Sequence, residues 1–415
     1  MRVVVVGGGL AGITCGWMLQ RRGAQVTVLE ARDRVGGRTY SHTFSDGTTV
    51  ERGGEYIDAE HHEIRLVCAE LGLPLIPHGI TFGRRTPVDG RPPSVEDVEE
   101  TLAVLRAAVQ ERLSSGLPDC SVHDLFTPQF GPDFAQHPVC RRLITSMASD
   151  PRDTSALLVV AKAAAGPYID AGSRVLGGNQ RIAIAMAEAL ETQVRLSSEV
   201  AAVEDKDSQA IVTLYDGNEI EADAIVIAVP LPLLATLDWR SPLPLPWRPG
   251  LDQLGFGEAA KLSLQLTGPA TPLGVQAPEG NWWSWNSLDQ HGDASVRAVT
   301  AFAGGPETVA GLSEDTDSWQ KSLERCRPDL SIDPSSALLT DWQHEPYTRG
   351  AYSFGRVGWD EAHALDLQTR QGRIALAGEH TAGHMAATMN GAVASGMRAA
   401  DVILPALREA PARKR

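Results

Sequence analysis

Arg2-Val3-Val4-Val5-Val6-Gly7-Gly8-Gly9-Leu10-Ala11-Gly12 is the stretch whose reading decides the fold. An unbroken β-branched run predicts a strand. The glycines that follow fit G-x-G-x-x-G, and a helical pattern continues through Trp17, Leu19 and Gln20. Arg21-Arg22-Gly23 supplies charge and then glycine where a helix C-terminus favours them. A second apolar strand, Val26 to Leu29, ends at Glu30. Together these make a βαβ unit of the dinucleotide-binding kind. Gly7 permits the tight turn, Gly9 lets the backbone approach a pyrophosphate, and Gly12 lets helix and strand pack closely. Leu10 and Ala11 open the helix and join the candidate contacts. Glu30 stands where a carboxylate accepts hydrogen bonds from a ribose diol, and it would repel the 2′-phosphate of NADP.

Reading outward, Glu30-Ala31-Arg32-Asp33-Arg34-Val35-Gly36-Gly37-Arg38 runs on from the acid. A plain NAD site needs no second glycine pair and arginine there. A longer dinucleotide gripped from both sides would use them: Gly36 and Gly37 allow close approach and Arg38 supplies charge. This run resembles the flavin-containing amine oxidases, the family of monoamine, polyamine and L-amino-acid oxidases. The resemblance implies an α/β fold: a Rossmann-like FAD-binding domain, glutathione-reductase-like, with a second, mixed α+β substrate domain. It makes Ala31, Arg32, Gly36, Gly37 and Arg38 cofactor contacts.

Composition agrees with a soluble enzyme. The chain has 415 residues, 43% hydrophobic and 21% charged, with a net charge of −15. Such a charge disfavours a nucleic-acid partner. The first strand begins at residue 2, and its four valines are too short for a signal-peptide core. No apolar run approaches a membrane span. The five cysteines are scattered and predict neither a disulfide framework nor a zinc site. The cytoplasm is the expected location. A small amine-type substrate and dioxygen are the expected partners, without nucleic acid or membrane, and a homodimer is the expected assembly.

Along the chain, Asp46-Gly47 predicts a hairpin turn. Residues 61–172 look mostly helical, with a Ser94/Asp97 capping box ahead of Val98, Leu102, Leu105, Val109 and Leu113. Leu196 to Val203 reads as a strand, and a second hairpin follows through Asp216-Gly217. Ala224 to Pro230 is an apolar, parallel-type strand. Residues 241–249 read as a proline-rich linker. Alternating strand patterns fill 258–358, and a small-residue helix, 389–403, closes the chain. The dinucleotide domain is therefore discontinuous, over 1–60, 173–235 and 368–405. Residues 61–172 and 236–367 form the substrate domain, and 406–415 a polar tail.

Further resemblances fix candidate site residues. In the family, the pair corresponding to Gly53-Gly54 lies beside the flavin ring, and Glu55 and Tyr56 begin the substrate pocket. Val200 matches a position near the adenine. Gly378-Glu379-His380-Thr381, then Thr388-Met389-Asn390-Gly391-Ala392, resembles the C-terminal flavin signature. It adds Gly378, Glu379, Thr388, Met389 and Ala392 to the cofactor set. Lys261 matches a lysine held by water to flavin N5. Trp342 and Tyr352, in a W…Y-x-x-G-x-Y stretch, match a residue packed beside the flavin and one wall of an aromatic cage. His380 and His384 stand four apart, but no third ligand accompanies them, so no metal is expected.

Two departures qualify the resemblance. Ala351 stands where some members carry the cysteine that bonds flavin, so noncovalent FAD is expected. Thr388 stands where many carry the second cage aromatic, so the pocket is expected to be wider. Trp283 and Trp285, on one strand face, could replace that wall, and Tyr168 is a further pocket candidate. An amino-acid substrate would need an arginine, for which Arg65, Arg84, Arg85, Arg174 and Arg349 are open. Glu55 is expected either to touch the substrate, as a cation partner or a base, or to pair with Arg52 or a nearby arginine. The catalytic set is Lys261, Tyr352, Trp342 and Glu55. The expected activity is oxidation of a C–N bond by hydride transfer to flavin with reoxidation by dioxygen. A carbon–carbon desaturase or protoporphyrinogen-type oxidase is the alternative enzyme, and a non-catalytic FAD-fold binding protein the alternative class.

Overall fold

Val3 to Val6 form the middle of a five-stranded parallel sheet. In the computed structural model, which describes residues 2–165, 170–191, 194–206, 208–289, 291 and 297–408, β1 (Arg2–Val6) leads into α1 (Leu10–Arg21) and β2 (Gln25–Leu29). The strand order is Ile374–Leu376, Ala224–Ile227, β1, β2, Val194–Arg195. All four pairings are parallel. Strands covered on both faces read as continuous apolar runs, which is why β1 and Ala224–Ile227 are almost wholly buried. The C-terminal helix Met389–Arg408 packs along α1. Its small residues are required: a Cβ on Gly396 would lie 2.3 Å from the Ala11 carbonyl oxygen.

A four-stranded sheet flanks this core, in the order Glu219–Ala222, Ala210–Leu214, Val200–Asp205, Asp238–Trp239. The predicted strand 196–203 starts only at Val200. The pairing of Asp238–Trp239 carries this sheet past residue 235. The proline-rich stretch ends in a helix, Trp247–Asp252, whose Trp247 is buried against the parallel sheet's core. The C-terminal helix runs to Arg408, beyond the expected start of a polar tail.

The rest of the chain combines helices and one large sheet. Val95–Ser114 is a helix with the predicted capping box. It packs with α2 (Pro138–Met147) and α3 (Ala156–Ala165) around Leu102, Leu105, Phe126 and Ile144. The expected helical block also contains strands, Leu75–Thr81 and Thr86–Pro87. Leu75–Thr81 pairs with Ala171–Val175. The six-stranded sheet has the order Leu338–Asp341, β3 (Ala259–Gln265), Ala298–Gly304, β4 (Trp282–Asn286), Leu273–Gln276, Thr86–Pro87. Two helices, Pro306–Ser313 and Thr316–Cys326, interrupt the region expected to be strand-dominated. They cover the outer face of this sheet through Val309, Trp319 and Leu323. Antiparallel sheets need such a cover on an apolar face.

Among the described residues no helix is long and apolar enough to cross a membrane. Tyr168 lies outside the described residues.

Candidate active site

One cavity of about 510 Å³ runs from the glycine turn after β1 to the tryptophans of β4. Its size is that of a cofactor or ligand site. The site residues expected from the sequence line it together, except Gly12, which lies beneath the turn.

The dinucleotide end is built mostly from backbone. Gly7 has φ +107, and a Cβ there would lie 2.8 Å from the Ala228 carbonyl oxygen. A Cβ on Gly12 would lie 1.9 Å from the Gly7 carbonyl oxygen, so only glycine lets α1 start this close to the turn. At Gly9 the situation is reversed. A Cβ would meet nothing nearer than Gly37 Cα at 4.0 Å, and no side chain caps the helix start. That open space, facing uncapped N–H groups, fits an incoming pyrophosphate. Glu30 accepts the Gly8 N–H at 2.7 Å and the Arg32 N–H at 2.9 Å, which fixes its carboxylate on the cavity wall. Arg38 donates to Glu379 at 2.8 Å and to the Ala351 carbonyl at 2.7 Å. Burial pushes the Glu379 carboxyl up, but Arg38, His380 and Ser353 outweigh this and hold it at about 2. Arg32 pairs with Glu345 and donates to Thr348 at 2.7 Å, joining the first motif to the Trp342–Tyr352 stretch.

The middle of the cavity holds a clamp around Gly53-Gly54-Glu55. Lys261, on β3, is buried. Its ammonium donates to the Glu51 carbonyl at 3.0 Å, the Gly53 carbonyl at 2.7 Å and Glu55 Oε2 at 2.7 Å. An ammonium has three N–H donors, and here all three are engaged by protein. The other carboxylate oxygen, Oε1, lies 2.9 Å from His78 Nε2 and 3.4 Å from Trp285 Nε1. Burial pushes the Glu55 carboxyl up, yet Lys261 and His78 prevail and hold it at about 2. Glu51 takes the opposite course: burial and the Glu55 charge push it up to about 7. Asn179 is fully buried and closes the clamp. Its N–H donates to Glu51, its side-chain amide donates to the Gly54 and Glu55 carbonyls, and its Oδ1 accepts the Val175 N–H.

The expected pairing of Glu55 with an arginine is therefore corrected. Arg52 instead donates to Thr340 at 2.9 Å and stacks on Tyr40. The glycine pair also has a local reason: a Cβ on Gly53 would lie 1.7 Å from the Arg38 carbonyl oxygen, and one on Gly54 2.5 Å from Met389 Sδ. Trp342 is buried beside Gly53 and donates Nε1–H to the Arg52 carbonyl at 3.1 Å.

The far end is aromatic and cationic. Tyr352 donates its hydroxyl to the Ser146 carbonyl at 2.6 Å, which fixes the ring. The Thr388 hydroxyl accepts the Gly391 N–H at 2.8 Å and donates to the Met385 carbonyl, an N-cap for the C-terminal helix. Trp283 and Trp285 stack with centroids 4.4 Å apart, and both line the cavity with Tyr56 and Phe82. Arg142 of α2 and Lys162 of α3 line it as well.

Residues 10–404 match the family model described as flavin containing amine oxidoreductase. The chain belongs to this family. As a flavin amine oxidoreductase it carries FAD, and its parallel sheet with α1 is the Rossmann-like part. Flavin-containing amine oxidase B of Bos taurus is 25% identical over 461 residues, covering 99% of this chain and 87% of that protein. Lysine-specific histone demethylase 2 of Homo sapiens is 25% identical over 448 residues, covering 97% of this chain. The chain spans about half the length of such demethylases, 53% in that case. Among solved structures, cyclohexylamine oxidase from Brevibacterium oxydans shares the fold with TM-score 0.83 and 19% identity, over 98% of this chain and 99% of that one. Putrescine oxidase bound to putrescine has TM-score 0.81 and 22% identity over the same shares.

Within this oxidoreductase, several functional candidates escaped sequence reasoning. His78 and Asn179 reach Glu55 only through folding of distant segments. Of the five arginines considered, Arg349 lines the cavity. Arg84 donates to the Pro93 carbonyl, and Arg174 to the Leu288 carbonyl. Arg85 lies behind the wall. Arg142 and Lys162 were not considered, although both left a signal: each is a charge on the apolar stripe of a helix, Val139-Arg142-Leu143 and Leu158-Val159-Lys162. Among the described residues, no group of three or more His, Cys, Asp or Glu side chains could hold a metal ion.

Proposed function

We propose that this protein oxidises the C–N bond of an amine-type substrate bound between Tyr352, Glu55 and the Trp283–Trp285 pair, with dioxygen as the final acceptor. The observation that carries this reading is the single cavity, which joins the dinucleotide turn to the aromatic wall through the Glu55 clamp. Bound FAD supplies the two-electron acceptor for hydride leaving the carbon that bears nitrogen. Its proposed contacts are Gly9, Leu10 and Ala11 at the pyrophosphate, Glu30 at a ribose, and the Thr388–Met389 helix start at the ring system.

Glu55 is proposed to orient the nitrogen by accepting an N–H. A carboxylate held at about 2 is a weak proton acceptor at neutral pH, because general bases work best near the operating pH. Lys261 is proposed to position Glu55 and the Gly53 carbonyl. To hold a water for the flavin it would have to release one of its three protein acceptors. Trp342 and Tyr352 wall the reacting centre and exclude water.

The test is an anaerobic screen of amines, amino acids and larger amides for flavin bleaching, followed by recovery of the oxidised spectrum in air. No bleaching by any amine or amino acid would refute the reading. Acid or heat should release all the flavin, since Ala351 offers no thiol; flavin retained on the denatured chain would refute noncovalent binding.

A further inference from the structure

The chain carries five lysines against 32 arginines, and two of the five, Lys162 and Lys261, line the same cavity. A fixed positive charge needs only arginine, which keeps its proton. Lysine is the cation that can give its proton up and become a nucleophile. What holds the two cavity lysines differs. Lys261 donates to two carbonyls and to Glu55, so the clamp takes all three of its N–H groups. Lys162 donates to the Ala386 carbonyl at 3.0 Å. Among the described residues it has no second acceptor and no carboxylate within ion-pair distance.

Lys162 is half-buried and reaches the cavity from α3, where Leu158, Val159 and Ala163 line the same wall. Its acceptor, Ala386, stands two residues before Thr388, which caps the C-terminal helix. Met389, the next residue, packs its sulfur on Gly54. The hydrogen bond to Ala386 therefore ties the amine to the segment that meets the Gly53-Gly54 turn. The nearest acid in charge terms is Glu379, which Arg38 already pairs at 2.8 Å. Burial pulls the Lys162 ammonium down to about 8, against the pull of Glu379. At pH 7 about a tenth of it is then free amine, against roughly 0.04% for an ordinary lysine.

We propose that Lys162 captures carbonyl compounds: its free amine adds to the imine or aldehyde formed in this cavity and holds it as a Schiff base. A lysine freed of its proton by burial is suited to this role. The step balances without an oxidant or a reductant. A bond forms between Lys162 Nζ and the imine carbon, and the bond from that carbon to the departing nitrogen breaks. One Nζ proton goes with the departing nitrogen, which leaves as ammonia or an amine. With an aldehyde, water leaves instead. Water then cleaves the Schiff base, releasing the carbonyl product and restoring the lysine. The source of the carbonyl rests on the amine-oxidising reading above, whereas the nucleophile does not. Lys261 is the control within the same cavity, since Glu55 and the two carbonyls hold it as an ammonium.

The experiment treats the FAD-loaded protein at pH 7 with benzaldehyde and sodium cyanoborohydride, which reduces a Schiff base to a stable secondary amine. Peptide mapping by mass spectrometry then locates the benzyl groups. Lys162 should carry at least ~10-fold more adduct than the exposed Lys206 and Lys321, because more of it is free amine. Lys261 should stay unmodified. Lys162→Arg keeps a charge and removes the nucleophile, so its cavity should take no adduct, with thermal unfolding as the folding check. An unmodified Lys162, or labelling no greater than at Lys206 and Lys321, overturns the proposal. If Lys162→Arg does not fold, the map of the unaltered protein decides alone. A second sample is trapped in air during turnover of an amine that bleaches the flavin, without added aldehyde, and Lys162 should then carry the substrate's carbon skeleton. Bleaching with Lys162 unmodified in both samples removes the capture site and leaves the oxidase reading. Benzaldehyde on Lys162 without bleaching by any amine or amino acid does the reverse.

Discussion

The two ends of the cavity solve opposite electrostatic problems. At the dinucleotide end, charges come in closed pairs, Arg38 with Glu379 and Arg32 with Glu345, and the open positions are backbone N–H groups beside Gly9. At the far end, Glu55 is the acid closed off by Lys261, while Arg142 and Lys162 line one wall and Arg85 lies behind it, stacked on Trp283. The first end recognises a cofactor by shape and backbone. The second is lined by aromatic rings and cationic side chains.

The comparison breaks first at Gly12. Its Cβ would collide with the Gly7 carbonyl, so Gly12→Ala should abolish flavin retention on purification, whereas changes at the cationic wall should leave it intact. A yellow, fully loaded Gly12→Ala protein would show that the turn tolerates a shift. Next is Lys261→Met, which leaves Glu55 buried and unpaired. Removing one partner of a buried ion pair costs about 3–5 kcal/mol, so thermal unfolding should move down by many degrees. The released carboxyl should also titrate at higher pH, adding an acid limb to the rate of flavin reduction. An unshifted melting curve and pH profile would mean that the Lys261–Glu55 pair contributes nothing to the clamp.

Glu55→Gln sharpens the comparison further. Loss of one charge-assisted hydrogen bond, about 1.5–3 kcal/mol, predicts a 10- to 100-fold fall in kcat/KM with an unmoved pH profile. A larger fall with a displaced profile would make Glu55 a base after all. The stability of the loaded protein should also show both carboxyls of the clamp. Glu55 has a folded pKa below its ordinary value, so its contribution is present above about 4.5 and is lost as pH falls towards 2. Glu51 has a raised one, so stability falls as pH rises from about 4.5 towards 7. Denaturant titrations of wild type and Glu51→Gln across that range should converge at the acid side and separate above it, and parallel curves would contradict this. The smallest effect belongs to Thr388→Ala, which should lose the helix cap and about 1 kcal/mol; an unchanged unfolding midpoint would mean that solvent replaces the cap.

What was legible in the sequence follows the same division. Gly7, Gly9, Gly12 and Gly36-Gly37 are readable because backbone geometry forces a residue type at a fixed spacing. Lys261, Trp342 and Tyr352 are readable because they sit in recognisable runs. His78 was not, since nothing local marks a histidine in Leu75–Thr81 as the neighbour of Glu55. The helices Pro306–Ser313 and Thr316–Cys326 were missed because neighbouring strand patterns dominated the reading. Arg142 and Lys162 were legible in principle, since a charge on an apolar helical stripe implies a polar cavity beneath it, but the reading of residues 61–172 stops at their helical character.

The Asn179 clamp has a consequence for the order in which the protein can be made. Residues 51–55 leave the ribosome before residues 179 and 261, yet their carbonyls wait for the amide of the one and the ammonium of the other. β1 likewise waits for Ala224–Ile227 to pair along one edge. Contacts of such long sequence separation form slowly. The nascent N-terminal half therefore cannot finish its most diagnostic motif by itself, and the active site closes only when much of the chain has already been synthesised.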